Sequence, residues 1–215
     1  MSTAAPAALA ESLRPRWAQD LAALGTATDG QALGERLLAA WSEPHRHYHT
    51  LQHLTECLAL LDAHRDLAER PAEIAMALWF HDAIYTPRAG DNEAQSAAWA
   101  VRELRAAGLA PAAIDRIEAL ILVTAHTGVP VGVDAELLVD IDLAILGAEA
   151  PRYAEYDRQV RAEYRWVPGF LYRRGRRKVL ADFAARRPLY RTPALREALE
   201  ARAANNLAGS LARLG

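Results

Sequence analysis

Two histidine-containing segments of the chain stand among large apolar residues. Pro44–His53 reads PHRHYHTLQH, and Ala77–Tyr85 reads ALWFHDAIY. Burying an imidazole or an ionised carboxylate is costly unless the group has a partner. A divalent metal ion would serve both His81 and Asp82, because adjacent side chains can reach one ion where a helix ends. A helix-terminal aspartate paired with an arginine is the plainer alternative for this dipeptide.

The spacing of His49 and His53 is the second chemical signal. The two stand four positions apart in YHTLQH, and residues at this spacing share one face of a helix. Two imidazoles on one face can bind one metal ion, or one can bind the ion while the other acts on a substrate. A surface cluster of histidines is the alternative, since His45 and His47 precede the pair in a predicted loop.

Two carboxylates in an apolar segment extend the set. Asp140 and Asp142 lie in VDIDLAILG, residues 139–147. Because they are two positions apart, they cannot face the same way on a helix. We expect one of them to point to the site and the other to solvent or a cap. A divalent ion held by histidines and carboxylates could be Mn, Mg, Co, Zn, Ni or Fe. It would lower the pKa of bound water to about 7 and polarise a phosphoryl oxygen.

The elements that must position these residues are predicted to be helices. Helical periodicity recurs along the chain, Ala and Leu dominate, and hydrophobic residues make up 52% of the composition, which favours an all-α fold. The periodicity predicts helices near residues 6–25, 30–42, 50–63, 71–84, 91–107, 111–125, 134–146, 151–165, 170–186 and 193–213. Helix ends are indicated by Pro71 and Pro111 in first turns, Gly108 as a C-terminal cap, and Thr50, Asp91 and Asp134 as N-caps. Residues 127–132 read as a loop.

Size and charge limit the functional classes. The chain has 215 residues and a formal net charge of −2, which suits one domain, or a domain with a helical extension, and gives no sign of nucleic-acid binding. No run of about 18 apolar residues predicts a transmembrane helix. Cys57 is the single cysteine, so no internal disulfide forms and a reducing compartment fits. We therefore expect a cytoplasmic protein with no membrane or nucleic-acid partner.

Basic residues cluster late in the chain. A solvated helix face is the plainer interpretation, and a rim that attracts an anionic substrate is the alternative. The cluster consists of Arg173, Arg174, Arg176, Arg177, Lys178, Arg186, Arg187 and Arg191.

The order of these motifs resembles a known family. His53, then His81-Asp82, then Asp142 matches the H…HD…D pattern of the HD-domain phosphohydrolase superfamily. The segments RHYHTLQHL, WFHDAIY, NEAQSA, DIDLAILG and GRRKVL are similar to the bacterial group of predicted metal-dependent HD phosphohydrolases, and with the late ARAANNL the likeness covers most of the chain. It implies an HD-domain helical bundle with flanking helices. Residues 1–215 would form one domain, with a core over about 41–150 and a C-terminal helical extension over about 151–215.

The resemblance also implies roles for single residues. His53, His81, Asp82 and Asp142 would bind the metal, with Asp142 preferred to Asp140 because an Asp-Leu step carries the last ligand in HD proteins. YHTLQH is similar to the YHNxxH element of cyclic-nucleotide phosphodiesterases, with Thr50 in place of Asn, which makes His49 the candidate general acid.

Further residues are secondary candidates. Arg46 would contact phosphate oxygens, or form a structural salt bridge instead. His126 and Glu93 could hold a second metal or the substrate, and Asp82 would then bridge two ions. Capping or surface roles are the alternatives for His126 and Glu93. Weaker candidates for pocket residues are Arg161, Tyr164 and Arg176.

These implications together predict an enzyme. We expect a metal-dependent phosphohydrolase that acts on a phosphomonoester or phosphodiester, with a small nucleotide-like substrate favoured, by attack of a metal-bound hydroxide. A homodimer is compatible with the sequence. Two other functions stay open. One is an HD-type di-iron oxygenase, and the other is a regulatory module that binds a nucleotide without turnover.

Overall fold

Helices account for all the regular structure in the part of the chain that the computed structural model describes, residues 4–26, 28 and 30–215. The predicted all-α class is therefore confirmed. The α-helices are α1 (Ala4–Ala23), α2 (Gln31–Ala40), α3 (Leu51–Ala63), α4 (Pro71–Phe80), α5 (Asn92–Ala106), α6 (Pro111–Val123), α7 (Val133–Asp142), α8 (Ala150–Glu163), α9 (Gly169–Ala185) and α10 (Pro193–Leu214). Short 3-10 helices cover Arg65–Leu67 and Leu143–Gly147.

Two helices end earlier than the sequence predicts. The helix predicted over 71–84 ends at Phe80, and the chain turns at His81 and Asp82. The helix predicted over 134–146 ends at Asp142 and continues as a 3-10 turn. Apolar periodicity carries on past both points, so it does not reveal the change. The early end of α4 places the His-Asp pair in a turn, where neighbouring side chains can point to one place.

Most of the predicted helix ends are confirmed. Pro71 and Pro111 lie in first turns, and the Thr50 hydroxyl caps α3 by accepting from the Gln52 amide. Gly108 follows α5 with a φ of 79°, a left-handed conformation that favours glycine. Residues 127–132 form the predicted loop before α7.

Two predicted N-caps behave differently from the expectation. Asp134 is not an N-cap, because α7 already begins at Val133; its carboxylate instead accepts from the amides of Glu69 and Arg70, just before α4. Asp91 does precede α5, but no capping bond from its side chain is found. Both aspartates stand beside a helix start, as sequence patterns suggest, but only the fold determines which amides a carboxylate reaches.

The chain divides into two compact units, Met1–Val139 and Asp140–Gly215, with the boundary inside α7. The sequence predicts a change from the core of the domain to its C-terminal extension near residue 150. None of the helices in the described ranges has the length and apolar character needed to cross a lipid bilayer.

Helix α4 is the most deeply buried element of the first unit. Residues 74–80 are fully inaccessible to solvent, as expected of a helix that is apolar on all sides. The Trp79 indole N–H donates to the Asp20 carboxylate of α1 at 2.9 Å, and the Trp41 indole N–H donates to the Trp79 carbonyl at 2.9 Å. Burial raises the pKa of Asp20, although hydrogen bonds from Trp79 and Arg16 oppose the rise. These contacts fix the end of α4.

The second unit is held by bonds to its connecting segments. Asp140 is fully buried, and its carboxylate accepts from the amides of Arg191 and Thr192 at the start of α10. The Tyr190 hydroxyl donates to the Leu143 carbonyl at 3.0 Å. Asp140 thus binds the two backbone amides that precede α10. Burial raises the pKa of Tyr190.

Two glycine-to-alanine substitutions should have opposite effects on stability. A Cβ at Gly34 of α2 would lie 2.5 Å from Cδ1 of Trp17, whereas a Cβ at Gly175 of α9 meets no atom within 4 Å. We expect Gly34→Ala to lower the free energy of unfolding by about 1–3 kcal/mol through overpacking. Gly175→Ala should raise it by about 0.5–1 kcal/mol through helix propensity. Chemical denaturation of both variants measures this, and effects of equal sign would contradict the described packing.

Candidate metal centre

Three polar side chains converge between α3 and the end of α4. His53 lies on the first turn of α3, while His81 and Asp82 follow α4 directly. The two Nε2 atoms of the histidines are 3.2 Å apart. Oδ2 of Asp82 lies 3.1 Å from Nε2 of His81 and 3.9 Å from Nε2 of His53. The fold therefore brings these three predicted ligands together, and this group could hold a metal ion.

The other ring nitrogens are held by neighbouring groups. Nδ1 of His81 donates to the Leu78 carbonyl at 2.8 Å, which leaves the lone pair of the neutral ring on Nε2. Nδ1 of His53 lies 3.1 Å from the Tyr48 hydroxyl. With that hydroxyl as acceptor, His53 too presents a lone pair on Nε2. Metal-binding histidines use their second nitrogen in this way, because the bond fixes the tautomer and the ring orientation.

The spacing of the three atoms fits a first-row divalent ion. At metal–ligand distances of about 2.0–2.1 Å, ligand atoms at octahedral or tetrahedral angles stand about 2.9–3.4 Å apart. The separations of 3.2 Å and 3.1 Å lie in this range, and the separation of 3.9 Å corresponds to a wider angle. The donor set of two imidazoles and a carboxylate suits the same ions.

Burial differs between the three ligands. The His53 and His81 side chains are 3% and 1% exposed, whereas the Asp82 side chain is 13% exposed. The Trp41 ring lies beside both histidines, at centroid distances of 5.4 Å from His81 and 6.2 Å from His53. The site is thus walled by protein on the histidine side, and solvent approaches it from the side of Asp82.

Cys57 is a neighbour that sequence reasoning did not place here. It stands one helical turn after His53 and is buried, with Sγ 3.6 Å from Nδ1 and 3.8 Å from Nε2 of that ring. The four-residue spacing in HLTEC is the signal that could have found it. Its contact makes Cys57 part of the packing around the His53 ligand.

Arg46 holds the His-Asp turn in place. Its side chain is fully buried, and the guanidinium donates to the carbonyls of His49 at 3.2 Å, Asp82 at 2.6 Å and Ala83 at 2.9 Å. Nε also donates to Glu43 at 3.0 Å. The guanidinium thus donates to protein carbonyls and to a carboxylate, an arrangement that fits the structural one of the two roles predicted for Arg46.

The loop after the pair is fixed by α5. The Asn92 side chain both accepts from the amide and donates to the carbonyl of Thr86. The Ser96 hydroxyl likewise accepts from the amide of Ile84 and donates to its carbonyl. These bonds explain Asn92 and Ser96 of NEAQSA as supports of the loop. The sequence pointed to this segment but not to the part of Ser96.

His49 lies next to these residues but not on helix α3 with His53. Because α3 begins at Leu51, His49 precedes the N-cap, and the argument from a shared helix face is wrong for this pair. The ring is half-buried and stacks on Tyr85 at a centroid distance of 4.1 Å. Its centroid is 6.1 Å from that of His53. The turn before α3 and the stacking on Tyr85 therefore hold His49 near His53, without a shared helix face.

The remaining candidates lie on other elements. Glu93 lies in the first turn of α5, and His126 follows α6 with a φ of 54°, an uncommon conformation for a residue other than glycine. Asp142 ends α7 in the second unit and is half-buried. The roles of these three residues stay predictions.

The weaker pocket candidates belong to the second unit. The Arg161 guanidinium lies over the Tyr172 ring at 4.5 Å and donates to the Tyr164 carbonyl. Arg176 is largely buried, over the Tyr156 ring at 4.9 Å. These contacts lie within this unit, and the roles of the three residues in a pocket stay predictions.

Comparisons with protein-family models, with curated proteins and with solved structures found no match to this chain.

Removing Arg46 should loosen the metal centre. Arg46→Ala leaves three carbonyls without their donors, so we expect the free energy of unfolding to fall by about 2–4 kcal/mol and metal affinity to fall about 10–100-fold. Arg46→Lys should give a smaller loss of stability and of metal affinity, since lysine keeps the positive charge but lacks the several N–H donors of the guanidinium. Arg102→Ala, at an exposed site on α5, is the control. Denaturation and calorimetric titration with Mn²⁺ measure the two effects. Unchanged stability with weaker substrate binding would instead indicate a phosphate contact.

Proposed function

We propose that this protein is a metal-dependent phosphohydrolase of phosphomonoesters or phosphodiesters, with a nucleotide-like substrate favoured. The observation that carries the proposal is the convergence of the Nε2 atoms of His53 and His81 on Oδ2 of Asp82, at separations of 3.1–3.9 Å. The order of these residues in the chain, followed by Asp142, resembles the HD ligand pattern. The resemblance supplies the reaction class, and the geometry supports the metal.

The proposed ligands would contribute to metal binding in different ways. A divalent ion held here would lower the pKa of bound water to about 7 and polarise a phosphoryl oxygen. His53 and His81 supply neutral nitrogens whose direction is fixed by Tyr48 and by the Leu78 carbonyl. Asp82 supplies negative charge on the side that solvent reaches. Asp142 is the fourth ligand of the sequence pattern.

His49 is the proposed proton donor to the leaving group. Its ring is packed against Tyr85 and against the edge of Tyr48, so its position is restricted, yet it is only half-buried. A protonated His49 would donate its ring N–H to the leaving oxygen of a phosphate ester bound beside Asp82. The backbone carbonyl of His49 accepts from Arg46, which fixes the same turn.

Loss of a ligand should remove both metal and activity. We expect His81→Ala and Asp82→Ala to weaken metal binding by more than about 100-fold, the upper end of what loss of a supporting residue costs. Hydrolysis of p-nitrophenyl phosphate and of bis(p-nitrophenyl) phosphate should fall to background. Both are measured with Mn²⁺, Co²⁺ or Mg²⁺ added, beside elemental analysis. His64→Ala is the matched control, because His64 ends the same helix α3 outside the cluster.

Full activity in either ligand variant would rule out the proposed site. Metal binding without turnover of any phosphate ester would refute the enzyme but not the metal centre. A broad screen of phosphorylated metabolites on metal-loaded protein separates these outcomes.

Replacing the general acid should depend on the leaving group. A nitrophenolate leaves readily without a proton, whereas an alkoxide needs one. We expect His49→Gln to keep metal affinity and to lower kcat by about 10²–10⁴-fold for an alkyl phosphate ester, with a much smaller loss for a nitrophenyl ester. His64→Gln serves as control. Equal losses on both substrates, or loss of the metal, would assign His49 a different role.

A further inference from the structure

The start of α9 presents exposed apolar side chains to solvent. Trp166, in the turn before the helix, is 47% exposed, Phe170 is 66% exposed and Leu171 is 47% exposed. Side chains of this size are seldom left together at a protein surface unless the surface binds something. We call these three residues the apolar tip.

A basic face continues directly from the apolar tip. At about 100° per residue, Phe170, Leu171, Arg174, Arg177 and Lys178 fall within about 120° of the helix circumference. Arg174, Arg177 and Lys178 are exposed. Asp182 is the only acidic residue in the sequence of α9, against five basic ones. The exposed side of α9 therefore joins an apolar end to a cationic band.

The side of α9 that packs against the protein lies away from the tip and the basic face. Leu180 is buried and the Arg176 side chain is largely buried, and both lie outside the arc of the tip and the basic face. A helix in a globular unit ordinarily buries a stripe of residues along its length. The exposed side of α9 is thus a surface of its own and is not needed for packing.

The turn that carries the tip is braced. Arg161 donates to the carbonyls of Tyr164, at 2.6 Å, and Val167, at 3.3 Å. The Val167 amide donates to the Tyr164 carbonyl at 2.9 Å. The Trp166 ring lies parallel to Tyr164 within 29°, at a centroid distance of 6.5 Å. These bonds hold the tip in one geometry, so its exposure requires no local unfolding.

We propose that the exposed side of α9 docks on a membrane surface that contains anionic lipids. Such a surface offers phosphate and carboxylate groups above an apolar layer, and this order matches a cationic band beside an apolar tip. Tryptophan and phenylalanine favour the depth of the headgroups. A nucleic acid would neutralise the basic residues and could stack on the aromatic rings, but it offers Leu171 no apolar layer.

This contact differs from the membrane partner that the sequence excluded. That expectation rested on the lack of an apolar run long enough to span a bilayer. Docking at the interface needs only a few apolar side chains and local positive charge. The overall charge of −2 does not oppose it either, because charge acts on a membrane within about 10 Å at ordinary salt.

Vesicle co-sedimentation of the full chain tests the proposal. Vesicles contain phosphatidylcholine alone, or phosphatidylcholine with one third phosphatidylserine. We expect binding to the anionic vesicles that weakens as salt is raised, and little binding to the neutral ones. Arg174→Glu with Arg177→Glu should lower the partition coefficient by more than about tenfold. Phe170→Ser with Leu171→Ser should lower it as well.

Matched substitutions elsewhere on the surface are the controls. Val131 is 87% exposed in the loop before α7, and the Arg102 side chain is 66% exposed on α5. Val131→Ser and Arg102→Glu should bind vesicles as the unaltered protein does. Circular dichroism and denaturation check that each variant is folded, which is expected because every substituted side chain is exposed.

Three results would overturn the proposal. The first is no binding to anionic vesicles at low salt. The second is unaltered binding by both α9 variants. The third is the absence of vesicle binding together with another interaction that depends on Phe170 or Arg174. That interaction would be a dimer, detected by light scattering, or a complex with duplex RNA or DNA, and the surface would then bind a second copy of the chain or a nucleic acid.

Discussion

The hydrogen bonds at the end of helix α4 are the interaction on which the candidate metal centre depends. Every helix leaves its last carbonyls without partners inside the helix. Here the Leu78 carbonyl accepts from the His81 ring, the Trp79 carbonyl from Trp41, and the Asp82 carbonyl from Arg46. Each of these donors is buried. The chain therefore turns sharply at His81 and Asp82 without exposing backbone groups, and the same bonds direct the ligand side chains.

The sequence predicted the helices well because most of the chain is amphipathic and its helix ends carry ordinary signals. It failed where the deciding contact comes from a distant part of the chain. The end of α4 at Phe80 depends on Arg46 and Trp41, which no periodicity near residue 80 reveals. His49 approaches His53 through a turn and through stacking on Tyr85, not through a shared helix face.

The candidate site was predictable to a similar degree. Residue types and order pointed to His53, His81 and Asp82, since buried imidazoles and carboxylates need a partner. The pattern could not predict which neighbouring residues hold these side chains in position. Whether a buried arginine such as Arg46 faces a ligand or a carbonyl depends on a few ångströms of backbone position, and Cys57 gave no chemical signal beyond its spacing from His53. For Asp140, by contrast, the partners of the buried carboxylate are two backbone amides just before α10.

The unequal burial of the ligands has a consequence for the time course of metal exchange. A chelator would reach an ion held here from the side of Asp82, because the His53 and His81 side chains are almost fully buried beside Trp41. Release from the histidines would then wait for α3 and the end of α4 to separate, an opening set by the local stability of this region. Metal acquired during folding would be retained for as long as such openings are rare.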